Sequence, residues 1–244
     1  MLIYPERDRV LHVARCELRV GVGAWPYAEE NCSAIEAHWQ RAQAANPNYF
    51  NGTVHVAVAL ARRGDALVAR FIAAEFKSYL FWRDAGYPPT GIRDGFGSAL
   101  FVSSDGAYVL GRQRSGNINA GLAYLPGGFI DSRDVDAQGD IDIAGSILRE
   151  VKEETGLVPG DFSVRSGFLV TEQGPQLSFA KCLDVAMPAM ELKACIEQHI
   201  AADAAAELED AVIVRALSDL DGLAMAPFAR LLLTTLLTNR SGPG

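Results

Sequence analysis

The feature that most restricts how this chain can fold is a run of charge: Arg149, Glu150, Val151, Lys152, Glu153, Glu154, Thr155, Gly156, Leu157. Glu150, Glu153 and Glu154 stand at i, i+3 and i+4, so an α-helix puts all three carboxylates on one stripe of its surface. At about 100° per residue, Ile143, Ala144, Ile147, Leu148 and Val151 form the apolar face, and the glutamates run along its edge. Like charges at this spacing repel, so the arrangement is unfavourable unless cations fill it. Oxygen-only donors on a rigid helix suit a hard cation such as Mg²⁺, of the kind that also grips a phosphate. Gly156 predicts a left-handed cap at the helix C-terminus. With no ligand to hold, the same run would be a solvated acidic helix face.

A second segment lies upstream, where Leu125, Pro126, Gly127, Gly128, Phe129, Ile130 and Asp131 read as an apolar strand end followed by a glycine pair. Together the two segments resemble the Nudix box, R-E-U-x-E-E-x-G-U with U aliphatic. That box is the signature of hydrolases that cut a nucleoside diphosphate linked to another moiety. Residues 149–157 match it at every position. The resemblance implies an α/β/α sandwich with a mixed sheet and a divalent cofactor, Mg²⁺ or Mn²⁺. It implies Glu150 and Glu154 as metal ligands, Glu153 as a further ligand or support, and Arg149 as the group that orients Glu153. Backbone carbonyls near Gly127 and Gly128 complete the metal shell in that picture.

The match has two departures. Where the pattern carries a glutamate ahead of the arginine, this chain has Ile141, and the gap between Gly128 and Arg149 is longer than the pattern allows. The extra residues contain Asp131, Asp134, Asp136, Asp140 and Asp142. Asp134-x-Asp136-x-Gln138-Gly139 imitates the start of an EF-hand loop, but Gly145 stands where that loop needs its bidentate glutamate. The stretch is therefore expected to be a solvated insertion, with Asp140 or Asp142 holding Arg149 in place of the missing glutamate. The general base lies outside the box. Glu172, after the next strand, is the first candidate, with Glu207 and Glu209 behind it.

Bulk properties narrow the partners. A chain of 244 residues has room for one large or two small domains. A net charge of −8 argues against a nucleic-acid partner but not against a phosphorylated one, because site cations reverse the local sign. Cys16, Cys32, Cys182 and Cys195 show no paired spacing and no nearby histidines, which predicts reduced thiols of a cytoplasmic protein and no zinc site. No export signal is visible, and the longest apolar stretch, residues 231–237, is too short to cross a bilayer. The expected partner is a small nucleotide, and the oligomeric state is left open.

Residues 1–93 read as a smaller α+β extension domain. Strands are predicted within 9–22, at 53–59 and at 66–73, and helices at 29–45 and 75–85. Residues 94–244 then carry the α/β domain: a hairpin of 98–102 with 108–112, strands at 122–125, 162–172, 177–185 and 211–216, and helices at 190–202 and 226–238 around the acidic one. In the extension, Trp39-Gln40-Arg41, Asn46-Pro47, Phe50-Asn51-Gly52 and Phe76-Lys77-Ser78-Tyr79 are similar in order and spacing to one Nudix branch, the UDP-glucose and UDP-galactose diphosphatases of animals and plants. Those proteins also carry an N-terminal domain and an elongated box. The resemblance implies cleavage of a UDP-sugar to UMP and a sugar 1-phosphate. Asn48 and Asn51 would be placed to meet uracil, and Arg114, within the polar stretch 113–117, to meet the sugar. The alternatives are a Nudix hydrolase of ADP-ribose, a dinucleotide or coenzyme A, or a non-catalytic nucleotide-sugar sensor. Ile141 favours the sensor and the intact acidic run disfavours it. No helix-turn-helix with a basic face appears, which argues against a repressor.

Overall fold

Alternation along residues 94–102 sorts the side chains between two cores: Ala99 and Phe101 enter one, and Leu100 and Val102 enter the other. A strand buried on both faces must be covered on both, and the computed structural model, which describes residues 8–241, shows what covers it. In chain order the strands are β1 (Arg9–Val13), β2 (Arg15–Val20), β3 (Thr53–Arg63), β4 (Ala66–Glu75), β5 (Asp94–Val102), β6 (Tyr108–Gln113), β7 (Ala123–Tyr124), β8 (Phe162–Val164), β9 (Phe168–Gln173), β10 (Gln176–Val185) and β11 (Leu208–Val214). The helices are α1 (Pro26–Glu30), α2 (Cys32–Ala45), α3 (Phe76–Asp84), α4 (Ile143–Thr155), α5 (Ala189–Ala202) and α6 (Pro227–Ser241).

The large sheet has the order β1-β9-β10-β5-β6-β11, with β7 on β6 and β8 on β10. It is mixed, because β5 and β10 run parallel while the other pairs within it are antiparallel. On one face Ile143, Ile147 and Val151 of α4 and Leu192, Ile196 and Ile200 of α5 are buried with Ala99 and Phe101. On the other, Phe228, Leu232, Leu233 and Leu237 of α6 cover Leu100 and Leu110. The architecture is the expected α/β/α sandwich. Among the described residues no helix is long and apolar enough to cross a membrane, and all four cysteines are free.

A three-stranded sheet, β2-β4-β3, packs against the α4 side: Leu67 and Phe71 join the same core as Phe179 and Ile147. Its other face carries α3 and an aromatic cluster of Trp25, Tyr79 and Trp82. The expected division at residue 93 is crossed by β1, which pairs with β9 of the large sheet in a register that sets Arg9 opposite Glu172. The chain then changes sheets within one residue, since Arg15 already pairs with Ala66 of β4.

Two local expectations are corrected. The single strand expected over 162–172 is two strands, β8 and β9, interrupted where Gly167 adopts φ 75°. The insertion before α4 is not simply solvated. Ile141 donates its amide to Leu18 and Val20 donates to Gly139, so the loop pairs along β2. Ile141 itself is buried in the main core, which is why an apolar residue occupies the position where the box has a glutamate.

Candidate active site

Helix α4 is set firmly at both ends. Asp142 caps its N-terminus by accepting the Gly145 amide at 2.9 Å, and Gly156 ends it at φ 74° in the left-handed region. With Ile143, Ile147 and Val151 fixed in the core, the helix presents its acidic edge to the glycine pair that follows β7.

The contact between them is close. The Gly127 amide donates to Glu154 Oε2 at 2.8 Å. At Gly128 a Cβ would lie 2.7 Å from the Glu150 carboxyl carbon, so glycine is what allows the carboxylate to lie against the backbone. Glu154 is 5% exposed, and its other oxygen, Oε1, is buried with no hydrogen-bond partner. Burial, then the nearby charges of Glu207 and Glu150, hold the Glu154 carboxyl well above the usual range. Burial and the Glu153 charge raise Glu150 to about 7, with Arg149 opposing them. Glu207 is also raised, by burial first and then by Glu153.

These carboxylates fit a hard cation: all donors are oxygen, they crowd one another, and a buried carboxylate oxygen lacks a partner. As the side chains stand, Glu153 is drawn to Arg133 (3.7 Å) and Arg149 (3.9 Å), and Glu150 to Arg149 (3.4 Å). Accordingly, among the described residues no three acidic, histidine or cysteine side chains close on one point.

Arg149 is held neither by Asp140 nor by Asp142. Asp134 takes that place, its Oδ1 accepting from Arg149 Nη1 at 2.6 Å. The side chain of Asp134 is fully buried, and its other oxygen accepts the Asp131 amide at 3.0 Å. Asp142 is occupied as the helix cap, and Asp140 pairs with Arg19 on the surface at 2.8 Å. The substitution was hidden in the sequence because a short 3₁₀ turn at Ser132–Asp134 brings Asp134 under the helix, and linear spacing does not reveal the turn.

Glu172 is not brought to the site. Its oxygens are taken by Arg93 (2.6 Å), in a buried pair, and by the half-exposed Arg9 (2.7 Å), which ties β1 to β9. Glu207, the second candidate, lines the cavity beside Gly127 and Gly128. Glu209 lies outside it, 3.8 Å from Arg112.

The cavity beside the glycine pair has a volume of about 290 Å³, near the lower end of the roughly 300–1,000 Å³ of small-molecule sites. Asn48 is on its wall as expected. Asn51 is not: its amide donates to Glu75 at 2.9 Å and its oxygen accepts the Lys77 amide at 3.0 Å, securing the start of α3. Arg114 points to the Ala204 carbonyl instead of the cavity. The sequence had not singled out Asp94, Tyr87 and Gln176, which also line it. Burial of a lone aspartate at a strand start leaves no spacing signal.

No protein-family model matches this chain, and no curated protein does. Solved structures similar to it include a Nudix hydrolase from M. smegmatis, RenU, at 17% identity and TM-score 0.39, covering 62% of this chain and 89% of that one. The NUDIX domain of Shewanella oneidensis NrtR complexed with ADP ribose is similar at 21% identity and TM-score 0.40, covering 67% and 98%. A bifunctional NMN adenylyltransferase/ADP ribose pyrophosphatase from Francisella tularensis, complexed with AMP and a Mn ion, stands at 17% and 0.41, covering 66% of this chain and 45% of that one. At such values the functional reading rests on the residues themselves.

Proposed function

We propose that this chain is a Nudix-type hydrolase that cleaves the diphosphate of a nucleoside diphosphate derivative with Mg²⁺ or Mn²⁺. The observation that carries the reading is Glu154: one carboxylate oxygen bonded by the Gly127 amide, the other buried and unpartnered, with Glu150 packed on Gly128. Burying crowded carboxylates costs free energy that a structural role does not return, and cation binding does. Glu150 and Glu154 would hold the cation, with Glu153 as a further ligand. Bound there, a divalent cation would supply charge neutralisation at phosphate oxygens and a lowered pKa for water.

The chain's own residues do the rest. Asp134 fixes Arg149, and Arg149 steadies the Glu150 and Glu153 carboxylates from the side. Gly127 and Gly128 let Glu154 and Glu150 lie against the backbone at the edge of the cavity. Glu207 takes the proton of the attacking water on its carboxylate, a role suited to an acid raised towards neutral pH by its surroundings.

Within that class we place a UDP-sugar, UDP-glucose or UDP-galactose, as substrate, giving UMP and a hexose 1-phosphate. The segments around Trp39, Phe50 and Phe76 support this, as do Asn48 and the aromatic walls of the cavity. The test is hydrolysis of UDP-glucose, UDP-galactose, ADP-ribose, a dinucleotide and coenzyme A with Mg²⁺, read by ³¹P NMR, with EDTA as control. Release of UMP is expected. A clear preference for ADP-ribose would overturn the substrate. Failure to turn over any of them, with metal-dependent binding retained, would make the protein a sensor.

A further inference from the structure

Asp94 starts β5 and is only 3% exposed, yet it stands on the cavity wall. Tyr79 donates its hydroxyl to Asp94 Oδ2 at 2.9 Å, and Gln176, opposite Asp94 on the adjacent strand, lines the same cavity. Tyr87 lines the same cavity, beside Tyr79 and Asp94. The backbone is distorted to place it. Tyr87 sits at φ 57°, the one non-glycine residue with positive φ among those described, a conformation that is strained for a bulky side chain. It is held by its amide bond to the Trp82 carbonyl (3.0 Å) and by ring packing on Trp82 with centroids 4.8 Å apart. Trp82 is itself anchored to the Pro88 carbonyl at 2.8 Å.

A buried carboxyl costs free energy unless its acceptor capacity is met, and the Tyr79 hydroxyl does not exhaust two oxygens with about four lone-pair sites. A strained loop and a buried acid on one cavity wall are a costly way to build an apolar lining. An anion is disfavoured beside a carboxylate unless a metal cation bridges the two, so the phosphates belong with the cation proposed at Glu150 and Glu154 and an uncharged ring beside Asp94. We infer that Asp94, positioned by Tyr79, is a specificity-determining residue that accepts hydrogen bonds from O–H or N–H donors on the uncharged moiety of the substrate. Those donors are the hexose hydroxyls or the uracil N3–H. The inference rests on the proposed hydrolase reading and deepens it.

The experiment compares wild type with Asp94→Asn and Tyr79→Phe, using UDP-glucose, an analogue lacking one hexose hydroxyl, and an analogue methylated at uracil N3. Binding by calorimetry is read beside KM and kcat, and melting temperature checks folding. Asp94→Asn keeps the shape and is expected to raise KM and Kd for UDP-glucose about ten- to hundredfold with kcat within about threefold, the effect of losing a hydrogen bond to a charged group. Tyr79→Phe should give a smaller loss. The analogue lacking the donor that Asp94 reads should bind wild type as weakly as UDP-glucose binds Asp94→Asn, and the variant should no longer discriminate against it. Which analogue behaves so identifies sugar or base. If Asp94→Asn changes neither KM nor Kd, or wild type tolerates both analogues, the inference is overturned while the hydrolase reading stands. Asp94-dependent binding of UDP-glucose without turnover would support the inference and, if ADP-ribose, a dinucleotide and coenzyme A are not turned over either, overturn the hydrolase reading. Neither binding nor turnover of UDP-glucose would overturn the inference and the UDP-sugar substrate together.

Discussion

Replacing Asp134 with alanine should destabilise the protein more than any other change in the acidic insertion. The wild-type side chain is fully buried and makes two bonds: Arg149 Nη1 at 2.6 Å and the Asp131 amide at 3.0 Å. The first joins two charges and contributes about 1.5–3 kcal/mol, the second about 1 kcal/mol. Arg149 is 24% exposed, so water recovers part of the loss, leaving about 3 kcal/mol. For a chain of this size that lowers Tm by about 6–12 °C. The same change at Asp142 removes a helix cap, worth about 1 kcal/mol. At Asp140 it removes an ion pair with both partners more than half exposed, worth under about 1 kcal/mol. Urea denaturation of the three variants at constant m-value measures the ranking. Turnover of Asp134→Ala should fall as well, because Arg149 loses the group that aims it at Glu150. If Asp134→Ala is no less stable than Asp140→Ala, Asp134 is not the anchor of Arg149 and the reasoning fails.

Glu154→Gln should lower turnover by orders of magnitude yet raise Tm in metal-free buffer, since it removes a buried charge while a carboxamide oxygen still accepts the Gly127 amide. Added Mg²⁺ should stabilise wild type and not the variant, and equal stabilisation of both would count against the metal assignment. The two glycines should respond differently to alanine. At Gly127 the new Cβ would meet the Gly97 carbonyl oxygen at 2.1 Å and should cost folding, whereas at Gly128 it meets only the movable end of Glu150 and should cost activity with a small change in Tm. Asp94 makes a pH prediction: burial raises its carboxyl from 3.8 to about 6, so between those values the folded state binds more protons than the unfolded one and stability falls as pH rises. At neutral pH the penalty is about 3 kcal/mol at most, and Asp94→Asn should reduce the slope of a series of urea unfolding midpoints between pH 4 and 7, leaving the part due to Glu150, Glu154 and Glu207.

Local periodicity decided much of this protein before any contact was known. The spacing of Glu150, Glu153 and Glu154 against Ile143, Ile147 and Val151 placed the acids on the edge of a core helix, and Gly156 its end, because both follow from 3.6 residues per turn and from the freedom of glycine. The segments 98–102 and 108–112 likewise read as the central hairpin, while the sheet covered on both faces followed from the resemblance of the acidic run and glycine pair to the Nudix box. What the tertiary structure decided were pairings between residues distant in sequence. Glu172 resembled a base from its place after a strand, but Arg9 and Arg93, 163 and 79 positions away, claim both its oxygens. Asp134 rather than its neighbours holds Arg149 because a 3₁₀ turn carries it beneath α4 while Ile141 goes into the core. Asp94 and Tyr87 meet in one cavity only because α3, the loop after it and β5 converge there. Covalent spacing determines what one helix or strand can present. Which charges meet across elements depends on how those elements pack, and burial, far more than residue type, sets the chemistry of the charges that result.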